Sequence, residues 1–134
     1  MMIDNIKYLI KLLSTIRKDT GTDISETIKY SGNVIFNEYM FSDDVLRLSN
    51  KYAPKDTGYM ISTAKIIHLD DRIVIKYGAW YSGYVHEIVG NKHEKGKTAK
   101  FLEIAFIETC IKYGIYLPYE ISVGDFGLEL SFSI

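Results

Sequence analysis

The chain has 134 residues, of which 47% are hydrophobic and 25% charged, and 16 basic residues against 17 acidic ones leave a formal net charge of −1. This length is typical of one domain, which we expect to span residues 1–134, and the hydrophobic fraction excludes a disordered chain. The balanced charge argues against a protein whose main task is to grip duplex nucleic acid, because such proteins carry a basic excess.

The cysteine content and the apolar runs exclude further classes. Cys110 is the single cysteine, so no internal disulfide can form, and its apolar helical surroundings favour a small buried side chain over a nucleophile. The first five residues lack the basic segment and the cleavage site of a signal peptide. No apolar run approaches the roughly 18–20 residues that cross a bilayer, so we expect no membrane partner.

Two helices are predicted in the N-terminal part of the chain. Residues 3–17 repeat apolar side chains at helical spacing, in a stripe broad enough to dock on a neighbouring subunit. Residues 1–20 are therefore a candidate intersubunit arm, with candidate contacts at Ile3, Ile6, Leu9 and Leu13. A second helix is expected to begin at Asp23 or Ser25 and to end before Pro54. Gly32 and the polar cluster 42–44 weaken its middle and predict a break or a bend there.

After Pro54 the hydrophobic period changes from helical to two-residue. Runs rich in β-branched residues over 61–69 and 72–77 predict a β-hairpin, and residues 80–85 predict an aromatic strand or a short helix. Residues 99–113 predict a helix that is apolar almost all round and therefore central, capped by Gly114. Segments 119–123 and 128–134 predict a second hairpin. The sequence thus predicts an α+β fold: one antiparallel β-sheet with N-terminal helices and one central packing helix.

Histidines and carboxylates between residues 86 and 94 are the strongest candidates for catalysis. His86, Glu87 and His93 offer imidazole and carboxylate ligands that divalent metals accept. Their spacing matches neither the helical pair of a zinc hydrolase nor a zinc finger, and solvated or half-buried histidines are the simpler interpretation. The sequence contains no nucleophile elbow, P-loop or dinucleotide-binding glycine motif. We therefore expect no cofactor and no catalysis, with a small metal-dependent hydrolase as the alternative.

The segment 92–100 carries the only local basic excess. If this loop faces nucleic acid, its lysines would contact phosphates, although such charged runs more often only solvate a surface. The candidate residues are Lys92, Lys95, Lys97 and Lys100.

The aromatic content points toward an interface. The chain has 11 tyrosines and one tryptophan, more than a domain this small can bury, and both residue types are enriched where proteins contact each other. Trp80, Tyr81 and Tyr84 are candidate intersubunit contacts. This favours an assembly component over a free enzyme, with ordinary core and half-buried tyrosines as an even alternative.

Three segments resemble small bacteriophage tail-completion proteins, the head–tail joining or neck proteins that are often called minor capsid or minor tail proteins. Residues 53–60, APKDTGYM, with Ser62 just after, resemble the signature Ala-Pro-x-Asp-Thr-Gly-x-Leu-x-x-Ser, with Met60 in place of Leu and Ser62 one position before the Ser of the signature. Residues 77–87, YGAWYSGYVHE, are similar to Val-Gly-x-x-x-Tyr-Ala-x-Tyr-Val-Glu-x-Gly, with Ser82 where Ala is common. Residues 99–106, AKFLEIAF, are close to Pro-x-Phe-Leu-x-x-Ala, without the proline. The three motifs occur in the family's order.

The resemblance implies a structural role. In the family the first signature ends a long helix and opens the first strand. Pro54 and Gly58 favour a sharp turn whose backbone amides Asp56 and Thr57 can satisfy, so this signature turn is structural and not catalytic.

The resemblance also implies a location and partners. It implies a tailed-phage virion protein at the head–tail interface, present in the host cytoplasm during assembly, in rings of about six or twelve copies with heterologous contacts. The neighbours would be head-closure or portal-side proteins on one side and tail-tube or terminator proteins on the other. The basic loop would meet phage DNA in the channel by charge alone. A minor capsid protein that decorates the shell is the alternative that shares these motifs.

Overall fold

The computed structural model describes residues 2–20, 36–54, 58–87 and 99–134, with residues 2–5 as backbone only. Five helices and four strands lie within these ranges. In chain order they are α1 (Met2–Thr20), α2 (Glu38–Tyr52), α3 (Gly58–Ser62), β1 (Ala64–His68), β2 (Arg72–Tyr77), α4 (Ser82–Glu87), α5 (Phe101–Tyr113), β3 (Tyr119–Gly124) and β4 (Gly127–Ser133). The predicted α+β class is confirmed.

The described part of the second predicted helix is continuous from Glu38 to Tyr52. Asn37 caps it, because its side-chain oxygen accepts hydrogen bonds from the backbone amides of Tyr39 and Met40, at 2.9 and 3.1 Å. The expected break at 42–44 is wrong: the Ser42 hydroxyl donates to the Glu38 carbonyl at 2.6 Å and leaves the helix intact. The predicted start of this helix at Asp23 or Ser25 is wrong, because Asn37 is extended and the helix begins at Glu38. Asp23, Ser25 and Gly32 themselves lie outside the described residues.

Both predicted hairpins form and join into one sheet. All pairings are antiparallel, in the order β1-β2-β4-β3, and Tyr77 of β2 lies opposite Ala64 of β1 and Leu128 of β4. Alternate residues of each strand therefore face the helices. The other face, which we call the open face, exposes Lys65, Ile67, Glu120 and Ser122. The first strand begins at Ala64 and not near residue 61, because α3 occupies the positions before it.

Helix α5 lies between the sheet and the N-terminal helices. Its residues are buried except for Glu103 and Lys112. Phe106 packs on Phe132 of the sheet, with ring centroids 5.1 Å apart, and on Phe41 of α2 at 5.8 Å. Gly114 ends the helix in the left-handed conformation, φ 71°, as predicted. Cys110 is buried within the helix, as predicted, and burial raises the pKa of its thiol to about 12.

A buried polar cluster ties the three long helices together. Arg17 of α1 forms an ion pair with Glu108 of α5, and both side chains are at most 10% exposed. The Tyr52 hydroxyl of α2 donates to the other carboxylate oxygen at 2.5 Å, and burial together with this bond raises the pKa of Tyr52. The guanidinium also lies 5.8 Å from the centre of the Tyr52 ring. Each helix thus contributes one member of the cluster.

None of the helices in the described ranges is both long and apolar enough to cross a membrane.

Removing Arg17 should destabilise the fold strongly, because Glu108 would remain as a buried and uncompensated charge. We expect Arg17→Met to lower the free energy of unfolding by about 3–5 kcal/mol, measured by urea denaturation. The adjacent exposed residue gives the control: Lys18→Met should change it by less than about 0.5 kcal/mol. Similar losses in the two variants would contradict a structural role for the ion pair.

Candidate functional site

The three segments that carry the family resemblance meet in the folded chain. The Thr63 hydroxyl, just after the first segment, accepts a hydrogen bond from the Ala79 amide of the second at 3.1 Å. Phe101 of the third segment packs edge-on against two rings of the second, those of Tyr77 at 5.6 Å and His86 at 5.2 Å between centroids. The segments are therefore packed together, although up to about fifty residues of sequence separate them.

The first segment forms a helix end followed by a short helix. The Ala53 amide donates to the Ser49 carbonyl at 2.9 Å, and Pro54 follows the end of α2 as predicted. Asp56 and Thr57 lie outside the described residues. Gly58 begins α3 without a left-handed φ, and no atom of the described residues lies within 4 Å of the position that a Cβ would take, so neither this packing nor the backbone conformation requires glycine there.

A polar clasp joins α4 to the start of α5. His86 is fully buried; its Nδ1 lies 3.0 Å from the Glu87 carboxylate, and its Nε2 accepts the Glu103 amide at 3.3 Å. The Lys100 amide donates to the His86 carbonyl at 2.7 Å, and the Lys100 ammonium pairs with Glu87. Because Nε2 accepts, the proton must sit on Nδ1. We call these four residues the clasp.

The clasp replaces a conventional helix cap. Lys100 stands at the N-cap of α5 in the left-handed conformation, φ 57°, and its side chain makes no capping bond. The His86 ring instead satisfies one of the free amides of the first turn, which suits an imidazole kept neutral. Burial lowers the pKa of His86, while the hydrogen bond from His86 is the main cause that lowers the pKa of Glu87 to about 2.

The atoms of His86 and Glu87 that could bind a metal are already bonded within the chain. Both ring nitrogens of His86 are engaged, and Glu87 is bound to His86 and Lys100. No group of three or more histidine, cysteine, aspartate or glutamate side chains suitable for a metal occurs in the ranges that the structure describes. His93, the other proposed ligand, lies outside those ranges.

Ser82 is one of the positions where the chain departs from the motifs that it resembles. Its hydroxyl is fully buried and has no hydrogen-bond partner in the described part of the chain. A buried hydroxyl without a partner lowers stability, since its hydration is lost without replacement. An alanine side chain at this position would avoid this cost.

Exposed aromatic side chains collect at one end of the sheet, where β1 and β4 begin and β2 and β3 end. We call this surface the aromatic end. Trp80 is 71% exposed, Tyr59 and Tyr84 are each 69% exposed, and Phe126 in the β3–β4 turn is 46% exposed. Tyr81 is half-buried, with its ring 5.6 Å from that of Trp80. The predicted exposure of Trp80 and Tyr84 is confirmed; their contacts with another subunit stay a prediction.

The predicted arm contacts on α1 need correction. Leu9 and Leu13 are 0% and 5% exposed, because they pack in the chain's own core against α5. They are therefore not available to a neighbouring subunit. Ile6 is half-buried, and the side chain of Ile3 lies outside the described part of the structure.

The predicted basic loop is described only at its end. Lys100 is held by Glu87 in the clasp, so its charge is already neutralised within the chain, which weakens its assignment to DNA. Lys92, Lys95 and Lys97 lie outside the described residues. Neither the clasp nor the buried ion pair was foreseen from the sequence, since their members are 13 and 91 residues apart.

No family model matches this chain, and neither does any curated protein or solved structure.

The neutral state of His86 predicts a loss of stability in mild acid. In the unfolded chain the pKa returns to about 6.5, above its folded value, so the unfolded state binds the proton first as the pH falls. We expect the free energy of unfolding to fall between pH 6.5 and pH 5, by up to about 1.4 kcal/mol per pH unit. Urea unfolding across this range measures it, above the region where Glu87 titrates.

The two described histidines separate this effect from general acid sensitivity. His86→Gln should be less stable at pH 7.5 but lose most of the dependence between pH 6.5 and 5. His68→Gln, at an exposed position, should retain it. An unchanged pH profile in His86→Gln would contradict the assignment.

Substitution of two of the buried serines, Ser82 and Ser49, should have opposite results. Ser82→Ala should leave the free energy of unfolding unchanged or raise it by about 1 kcal/mol, because it removes an unpaired buried hydroxyl. Ser49→Ala should lower it by about 1–2 kcal/mol, since the Ser49 hydroxyl lies 2.7 Å from that of buried Tyr77. Chemical denaturation of both variants tests this, and a loss in Ser82→Ala equal to that in Ser49→Ala would show that Ser82 has a partner.

Proposed function

We propose that this chain is a structural virion protein of a tailed bacteriophage, a tail-completion or head–tail connector subunit that forms a ring between the tail and the DNA-filled head. The observation that carries the proposal is the meeting of the three family-like segments in one packed region. Their contacts are those of a scaffold: a hydrogen bond from a backbone amide to the Thr63 hydroxyl, rings packed edge to face, and the clasp. The chemistry of these contacts supports a role in assembly without catalysis.

Exposed apolar side chains at both ends of the sheet support stacking between two neighbours. The aromatic end carries Trp80 and Tyr84. The opposite end, where β1 gives way to the β1–β2 turn and β4 ends, exposes Leu69 and Ile134, with Tyr39 of α2 packed on His68 at 4.3 Å between ring centroids. Large exposed apolar groups on two sides suit a subunit held between partners. In the proposal these partners are a head-closure or portal-side protein and a tail-tube or terminator protein.

The proposal places about six or twelve copies around the channel, by heterologous contacts. Non-specific contact with phage DNA would fall to Lys92, Lys95 and Lys97, since Lys100 is already paired. The protein would lie at the head–tail interface of the virion, and in the host cytoplasm before assembly.

A stop codon early in this gene tests the function directly. We expect lysates of such phage, viewed by negative-stain electron microscopy, to contain DNA-filled heads beside separate full-length tails. The infectious titre should fall by several orders of magnitude, because a missing connector blocks joining without blocking the assembly of either part. Supplying the wild-type chain from a plasmid should restore joined particles.

The same images separate the alternatives. Joined, infectious particles with altered or fragile capsids would favour the decorating minor capsid protein. Normal particles at normal titre would overturn the virion proposal and bring back the metal-dependent hydrolase.

A further inference from the structure

The two outer strands of the sheet present free backbone edges. In the described part of the chain no strand pairs with the outer side of β1 or of β3. The bond from the Leu69 amide to the Arg72 carbonyl shows that odd-numbered residues of β1 bond to β2. The backbone groups of Ala64, Ile66 and His68 therefore point outward, because bonding alternates along an antiparallel strand.

The same argument applies to β3. The Ser133 amide donates to the Pro118 carbonyl at 3.2 Å, so even-numbered residues of this segment bond to β4. The outward groups are those of Tyr119, Ile121 and Val123.

The two edges match each other in direction and in face. In the order β1-β2-β4-β3, with every pair antiparallel, β1 and β3 run in opposite directions. Ile66 and Ile121 each point their backbone groups outward and their half-buried side chains toward the core. When β3 of one copy meets β1 of the next, their outward backbone groups can form hydrogen bonds while Ile66 and Ile121 both stay on the core side of the joined sheet.

The charges on the open face favour pairing of a β1 edge with a β3 edge over pairing of two identical edges. Lys65 is exposed on β1 and lies opposite Lys76 of β2. The ammonium group of Lys76 is 3.4 Å from the Glu129 carboxylate, so Glu129 is already paired. Lys65 therefore has a like charge beside it and no ion-pair partner in the described ranges. Glu120 is exposed on β3, likewise without one. Two β1 edges would bring lysines together and two β3 edges glutamates, whereas β1 against β3 brings opposite charges together.

We propose that β1 of one copy pairs with β3 of the next and so forms the joint between successive subunits of the ring. This inference rests on the proposed function, and it names a second copy of the chain as the occupant of both edges. The joint is heterologous and continues from copy to copy, as a ring requires. Full overlap of Ala64–His68 with residues 119–123 places Ile66 opposite Ile121 and sets Lys65 diagonal to Glu120, within reach of a long side chain.

Carbodiimide cross-linking tests the joint on the unaltered protein. This reagent links an amine only to a carboxylate that touches it. Within one chain Lys65 and Glu120 are three strand spacings apart, about 14 Å, and cannot be linked. In a mixture of ¹⁴N- and ¹⁵N-labelled chains we expect a Lys65–Glu120 peptide that joins light to heavy. If this peptide is absent, the proposal is overturned, whether or not other intermolecular links form.

Charge reversal provides the second measurement, by sedimentation at low salt. Lys65→Glu and Glu120→Lys should each weaken self-association by about three- to tenfold, because each leaves both edges with the same charge. Mixing the two variants should restore association, since unlike edges again meet. Lys18→Glu, an exposed reversal on α1, should leave it unchanged. Failure of the mixture to recover, or equal weakening by Lys18→Glu, contradicts the joint.

The phage experiment fails or succeeds separately. If the stop-codon phage gives unjoined heads and tails but the protein gives no Lys65–Glu120 cross-link, the connector function is supported and this joint is contradicted. The link together with normal infectious particles would leave the joint and remove the connector function.

Discussion

Helix α5 has to be enclosed on every side, and the rest of the fold follows from that requirement. Because its residues are apolar almost all round, one sheet or one helix cannot cover it. The sheet covers one side through Phe132, and α1 and α2 cover the other through Leu9 and Phe41. Burying these surfaces supplies the main stabilising free energy, at about 25 cal/mol per Å² of apolar area. The N-terminal helices are therefore part of the core.

Enclosing α5 also fixes where polar groups must pair. Glu108 faces the two N-terminal helices, and Arg17 with Tyr52 makes its burial tolerable. At the N-terminal end of α5, His86 accepts a backbone amide in place of a capping side chain. The first of these pairings joins the three long helices, and the second joins α4 to the start of α5. In the described part of the chain, large apolar side chains remain exposed at the two ends of the sheet, and the outer sides of β1 and β3 remain unpaired.

Periodic segments were predictable, and interruptions were not. The two hairpins, α5 with its Gly114 cap and the end of α2 before Pro54 all follow from local pattern, because those patterns and the tertiary contacts agree. The cluster 42–44 reads as a break, yet Ser42 bonds back to Glu38 and α2 continues. The predicted start of β1 near residue 61 was wrong, because residues 58–62 form helix α3 and the strand begins only at Ala64. For the site, exposure of Trp80 and Tyr84 was predicted correctly, whereas the clasp was missed because its members are far apart in sequence.

The amino-acid sequence by itself determined the fold class, the central position of α5 and the burial of Cys110, because hydrophobic period and residue type act within a few residues. Only the tertiary structure decided that Leu9 and Leu13 face inward, since an amphipathic stripe does not state whether it covers its own core or a neighbour's. It alone decided that Lys100 is neutralised by Glu87, and that Lys65 and Glu120 stand on opposite edges of one sheet. Pairing between distant residues depends on the path of the whole chain, and no local pattern records that path.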